Sequence, residues 1–174
     1  CTLAETSLED IYAKMDHALS IMRESASSPI QEPKKSIGGL IGGEARLADL
    51  HRARGAAICG SVLSRAITYS MAVLETNTSM GLIVAAPTAG SCGILPAALL
   101  TMQEEKGFSE RDCVMSLFTA SAVGMVIANN ASLAGAQGGC QAECGSAAAM
   151  AAAAIVELAG GTPGMVENAI AIAI

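Results

Sequence analysis

Between Gln141 and Leu158 almost every residue favours a helix, and from Ala147 to Ala154 only Met150 interrupts the alanines before Gly160-Gly161 stops the run. A helix of this composition is apolar nearly all round, so it has no face to offer water and has to be enclosed by others. The segment predicts a buried central helix whose small side chains let neighbouring helices come close. Aromatic residues make up only 2% of the chain and there is no Trp, so the remaining core has to be aliphatic as well.

The flanking sequence supplies the neighbours. Thr6-Ser7-Leu8-Glu9 has the form of a capping box, after which Leu8, Ile11, Tyr12, Met15, Leu19 and Met22 recur at helical spacing, predicting a helix from Ser7 to Ser25. Ser27 to Gly43 contains Pro29, Pro33, Lys34-Lys35, Gly38-Gly39 and Gly42-Gly43, and reads as a loop, either a linker or a segment that approaches a ligand. Further helices are expected from Glu44 to Arg54, Ala56 to Leu74, Ile94 to Lys106 and Ser109 to Ala128. Thr162-Pro163 offers the N-cap and first position of a last one. No alternation of period two persists long enough for a sheet. The expectation is an all-α, multi-helix single domain over residues 1–174, truncated at its C-terminal end because the chain stops at Ile174 within an apolar helical pattern.

Charge excludes some functions. The net charge is -6, and Arg52-Ala53-Arg54 and Lys34-Lys35 are too few to neutralise a phosphate backbone, so no nucleic-acid partner is expected. Gly81 to Leu100 is the most apolar stretch, but Pro87, Pro96, its glycines and its hydroxyls do not make a spanning helix, so no membrane span is expected. The N-terminus has no charged region followed by an apolar one, as a secretory signal would. The six cysteines therefore read as free thiols or metal ligands in a reducing, cytoplasmic compartment.

Chemistry concentrates at two bends, Ala86-Pro87-Thr88-Ala89-Gly90-Ser91-Cys92-Gly93 and Gly138-Gly139-Cys140-Gln141-Ala142-Glu143-Cys144. Cys92 and Cys140 each lie at a loop-to-helix junction beside glycines, where a thiolate can be aimed at a ligand and helix amides lower its pKa. An iron–sulfur cluster held by three thiolates leaves one iron open as a Lewis acid. Cys144 lies four residues after Cys140, so it is either a second ligand on the same helix face or a small buried residue. Cys59 and Cys113, among apolar helical residues, read as buried packing thiols, and Cys1 is terminal. His17 and His51 are expected to be exposed. Lys14, Lys34, Lys35 and Lys106 are the lysines available for a pyridoxal phosphate Schiff base, but none lies in a phosphate-binding context. The glycine pairs do not make a dinucleotide-binding fingerprint.

The first bend extended to Pro96, then Ala128-Asn129-Asn130-Ala131-Ser132-Leu133-Ala134-Gly135-Ala136, Gly138 to Glu143 and Gly160-Gly161-Thr162-Pro163, in that order, closely resemble the α chain of iron–sulfur-dependent L-serine dehydratase. Met15-Asp16-His17 and Gly42-Gly43-Glu44 extend the match. The resemblance implies an oxygen-sensitive 4Fe-4S cluster with Cys92 and Cys140 as two ligands, and a third cysteine in a Cys-Asp-Pro segment shortly after Ile174. It also implies a β subunit or β domain carrying a Ser-Ser-His-Thr segment that faces the cluster. Ala134 and Gln137 depart from the residues common in that family.

On this resemblance the expected function is a lyase, converting L-serine to pyruvate and ammonia, within a larger oligomeric α/β enzyme. Thr88, Ser91, Asn130 and Ser132 are the expected substrate neighbours, since they flank the two cysteines on polar bends; Asn130 and Ser132 could equally serve only to cap and turn the chain. No base is identified; His17 is one candidate and the β-chain histidine the preferred one. The alternatives are a helical assembly module with structural zinc or free cysteines, and a pyridoxal phosphate enzyme.

Overall fold

The alanine run does become the centre of the molecule. In the computed structural model, which describes residues 6–55 and 57–174, the described residues form seven α-helices and no strand. They are α1 (Leu8–Gln31), α2 (Glu44–Ala53), α3 (Gly60–Thr78), α4 (Ile94–Lys106), α5 (Glu110–Asn130), α6 (Gly135–Leu158) and α7 (Pro163–Ala173). A short 3-10 turn, Ala89–Ser91, precedes α4.

Helix α6 packs against α4, α5 and α7, and Ser146, Ala147, Ala149, Met150, Ala151, Ala153 and Ala154 are all buried. Small residues set the spacing: a Cβ on Gly124 of α5 would lie 3.1 Å from Met150 Sδ. Leu19, Val73, Leu99, Val114 and Leu117 complete an aliphatic core drawn from α1, α3, α4 and α5.

Several boundaries differ from the sequence expectation, and three of them have a clear local reason. The cap of α1 is one residue later than the pattern suggested: Asp10 N donates to Ser7 Oγ at 3.0 Å. The helix also runs past Ser25 and through Pro29. Proline removes the amide that would bond the Ser25 carbonyl, and Thr76 Oγ1 of α3 donates to that oxygen instead, at 2.9 Å. Lastly, α3 begins at Gly60 rather than Ala56, which lies outside the described residues, as does Cys1. The late start leaves Cys59 as the N-cap and exposed, not buried as its apolar surroundings suggested.

The glycines before α2 pack the chain against itself. A Cβ on Gly42 would meet Lys34 O at 2.5 Å, and Gly43 caps α2 with φ 103°. The buried Glu75 of α3 then accepts from Ala45 N at 2.7 Å, satisfying a free amide of the first turn of α2.

Among the described residues α5 is long and apolar enough to cross a membrane by length and composition alone. It opens with the charged Glu110-Arg111-Asp112 and a reciprocal Ser109–Asp112 capping box, and packs against α6 and α1.

Candidate functional site

The first cysteine bend is held from several sides. After the cis Ala86–Pro87 peptide, Thr88 is extended and the 3-10 turn delivers Cys92 immediately before Gly93, the cap of α4. Asn77 Nδ2, near the end of α3, donates to Ala89 O at 3.0 Å. A Cβ on Gly93 would lie 2.8 Å from Ser70 O, so glycine is needed for this junction to sit against α3. Cys92 is enclosed as a result, at 0% exposure, with Ser91 at 2%.

The second bend is open. Helix α6 begins with a turn from Gly135, breaks at Gly139 with φ 76° and ψ 172°, and restarts at Cys140. Those angles are essentially reserved for glycine. The restart puts Cys140 at the head of the long alanine-rich segment, the junction expected from sequence. Cys140 and Cys144 are both exposed, so the buried alternative for Cys144 is set aside.

Glu143 connects the two bends, and the sequence did not single it out. Thr88 Oγ1 donates to Glu143 Oε1 at 2.8 Å, and Ser91 Oγ lies 3.2 Å from Thr88 Oγ1. The same carboxylate fills the space beside two glycines: a Cβ would meet Glu143 Oε2 at 3.0 Å on Gly90 and at 2.5 Å on Gly135. Cys140 is three residues ahead of Glu143 and therefore its neighbour on the helix surface.

Asn130 and Ser132 lie at a different edge. Asn130 Nδ2 donates to Val126 O at 2.8 Å, while Ser132 Oγ donates to Gln137 Oε1 at 2.6 Å and accepts from Ala134 N at 3.2 Å. Both residues thus cap and turn the chain. They also line a groove of about 450 Å³ with Gln141, Ala142, Gly145 and Ser146, residues that flank Cys140 and Glu143 in α6. The four expected substrate neighbours therefore divide into an enclosed pair, Thr88 and Ser91, and an outer pair, Asn130 and Ser132.

Burial pushes the Cys92 thiol above its ordinary 9.0, against a smaller lowering from its own backbone amide. The lowered pKa expected at a helix junction is not found there, because desolvation outweighs the amides. Desolvation likewise raises Cys113, buried as expected, to about 11. His17 and His51 are exposed. His17 shares a shallow depression with Thr6, Asp10, Ala13 and Lys14, none of which belongs to either bend. Lys14, Lys34, Lys35 and Lys106 are exposed too.

Cys92 and Cys140 are free thiols, the donor type an iron–sulfur cluster takes. Their number is short of three. Among the described residues no group of three or more His, Cys, Asp and Glu side chains could hold a metal ion.

The chain is 45% identical over 170 residues to the protein named "Probable L-serine dehydratase, alpha chain" of Bacillus subtilis (strain 168), covering 98% of this chain and 56% of that one. It is 42% identical over 159 residues to the L-serine dehydratase alpha chain of Peptoniphilus asaccharolyticus, covering 91% and 54%. With the L-serine dehydratase of Streptomyces coelicolor it shares 49% identity over 102 residues, covering 58% of this chain and 22% of that one. It thus spans about half the length of the two alpha chains. A family model described as serine dehydratase alpha chain matches residues 2–174, and the chain belongs to that family.

Proposed function

We propose that these residues form the catalytic α portion of an L-serine dehydratase, a lyase that eliminates water from L-serine to give pyruvate and ammonia in the cytoplasm. In this reading Cys92 and Cys140 are two thiolate ligands of a 4Fe-4S cluster. The third thiolate comes from a part of the protein that these 174 residues do not include. The relatives' names, with their alpha chains of nearly twice this length, support the reading. The observation that carries it is the Thr88–Glu143 hydrogen bond, which ties the bend bearing Cys92 to the helical turn headed by Cys140.

When bound, the cluster supplies a Lewis acid at its open iron, which makes the substrate hydroxyl a better leaving group. The chain's own residues bind and orient. Thr88 commits its proton to Glu143, so the Ser91 hydroxyl is the donor across the 3.2 Å contact with Thr88 Oγ1, with Thr88 O a second acceptor at 3.5 Å, and it reaches substrate by turning that proton away from Thr88. One hydrogen of the Asn130 amide goes to Val126 O, and the second is available to a substrate carboxylate at the groove. Ser132 holds the turn between Asn130 and α6 through Gln137. Cys92 has to give up its proton to become a ligand, and burial makes that costly, so metal loading rises with pH. The α-proton goes to a base on a β subunit or β domain, and the working enzyme is an oligomer that includes it.

Anaerobic purification of the full-length protein with its β partner tests this. A brown protein with broad visible absorption, serine-dependent pyruvate release and inactivation by air is the expected result. A colourless, air-stable holoprotein with stoichiometric zinc would overturn it in favour of a helical assembly module. A lysine adduct trapped by borohydride would overturn it in favour of pyridoxal phosphate.

A further inference from the structure

The start of α6 is a single short turn set off from the rest of the helix. Gln137 N and Gly138 N both donate to Ala134 O, and the break at Gly139 separates this turn from the long segment beginning at Cys140. Glu143, half-buried, reaches back across the break so that its carboxylate lies against Gly135, and outward to Gly90 and Thr88 on the other bend. Gly90 and Gly135 are not among the positive-φ glycines, so their backbones do not require glycine. What they require is the space: the carboxylate sits where a side chain would begin.

From this geometry we infer that Glu143 is a positioning residue that clasps the Cys92 bend to the start of α6 and fixes the bend relative to the Cys140 restart. Its consequence for catalysis rests on the reading that both thiols serve one centre. The clasp itself does not. A carboxylate accepting from a half-buried hydroxyl is a charge-assisted bond, stronger than a neutral one, and it adds to the packing of Gly93 on α3 in holding the bend that carries the enclosed Cys92.

The test uses the full-length protein, freed of metal by anaerobic chelation and treated with N-ethylmaleimide, with modification of each cysteine followed by peptide mass spectrometry. Cys113 is the internal control, because it is as fully buried as Cys92 but lies in α5, away from the clasp. In Glu143→Ala, Cys92 is expected to react about tenfold faster, the factor matching loss of one such hydrogen bond, with Cys113 unchanged. Glu143→Gln keeps an oxygen acceptor for Thr88 and restores the slow rate. Gly135→Ala sets a methyl against the movable end of Glu143 and reproduces the acceleration in a protein that still carries the carboxylate. An unchanged Cys92 rate in Glu143→Ala would overturn the inference, as would equal acceleration of Cys92 and Cys113, which reports general loosening. A glutamine variant as fast as the alanine one would overturn it too, because the Thr88 bond would then not be what holds the bend. A colourless native protein in which Glu143→Ala still frees Cys92 selectively would sink the cluster and leave the clasp standing.

Discussion

The two cysteine bends look alike in sequence and are opposites in structure. Each sets a cysteine beside glycine, yet Cys92 is fully enclosed and Cys140 lies open at a break in a helix. The glycines account for the difference. Gly93 is small because α3 is against it, whereas Gly139 is flexible because the chain has to turn at φ 76°. One bend is made by close packing and the other by backbone freedom, so the same composition gives a ligand candidate that is hard to reach and one that is easy to reach. A centre built from both would have a fixed inner wall and an accessible outer one.

The largest effects come from removing the thiols. Cys92→Ala and Cys140→Ala are each expected to lower serine turnover by the full-length enzyme by about 10³-fold, the worth of several kcal/mol of Lewis-acid stabilisation. Stability separates them. Removing the buried Cys92 sulfur costs about 1 kcal/mol, while removing the exposed Cys140 sulfur costs less than about 0.5 kcal/mol. Pyruvate release and urea titration of the same preparations measure both quantities, and equal stability losses would break the contrast between the bends.

The glycines come next. Gly93→Ala drives a methyl into the Ser70 backbone and is expected to cost about 2–3 kcal/mol by overpacking. Gly139→Ala meets no neighbouring atom within 4 Å, and its cost of about 1–3 kcal/mol is conformational. The two mechanisms are told apart by rescue. Ser70→Gly cannot move the Ser70 carbonyl and relieves only the contact with its hydroxyl, so it recovers part of the loss at Gly93 and none at Gly139. Thermal melts of the two single and two double variants give the comparison.

Much of this contrast could not be read from the sequence. The helices, their order and the buried role of α6 were legible because periodicity and composition report directly on which faces need cover. Gly139 gave a partial signal, since a glycine pair before Cys140 marks a break, but the helical turn that opens α6 at Gly135 lies ahead of the expected start at Gln141. The enclosure of Cys92 was not legible, because it depends on Ser70, a residue brought there only by the packing of α3 on α4. Glu143 was missed for the same reason: its partners Thr88 and Gly90 lie on the other bend, and Gly135 lies across the break at Gly139. Cys59 shows the opposite error. Its apolar neighbours suggested burial, and a helix start a few residues later than expected left it exposed.

Burial also gives the enclosed thiols a pH signature. Desolvation raises Cys92 and carries Cys113 to about 11 from an ordinary 9.0, so the fold favours their protonated forms. Between those values the unfolded chain has released protons that the folded chain keeps, so stability is fully present below pH 9 and declines as pH rises towards about 11. Urea midpoints of the metal-free protein across this window are expected to fall. Cys113→Ala flattens that decline most and Cys92→Ala less, and a slope unaltered by either would show that neither thiol is as desolvated as its burial implies.

The smallest effects belong to the outer pair, and they decide whether the groove takes part. Asn130 is exposed and its amide donates to Val126 O within its own helix end, so Asn130→Ala is expected to cost less than about 0.5 kcal/mol of stability. Its second amide hydrogen is the feature that matters for substrate. Loss of that donor raises KM for L-serine about tenfold with kcat nearly unchanged, because a carboxylate contact distant from the breaking bond binds substrate and transition state alike. Ser132→Ala removes two local bonds that hold the turn, so it costs about 1 kcal/mol of stability and shifts KM less than Asn130→Ala. Reversal of that order, with Ser132→Ala the larger KM effect, would move the carboxylate contact from Asn130 to the Ser132 hydroxyl. Unchanged KM in both would confine substrate recognition to the enclosed pair, Thr88 and Ser91, and leave the outer bend with only its cysteine.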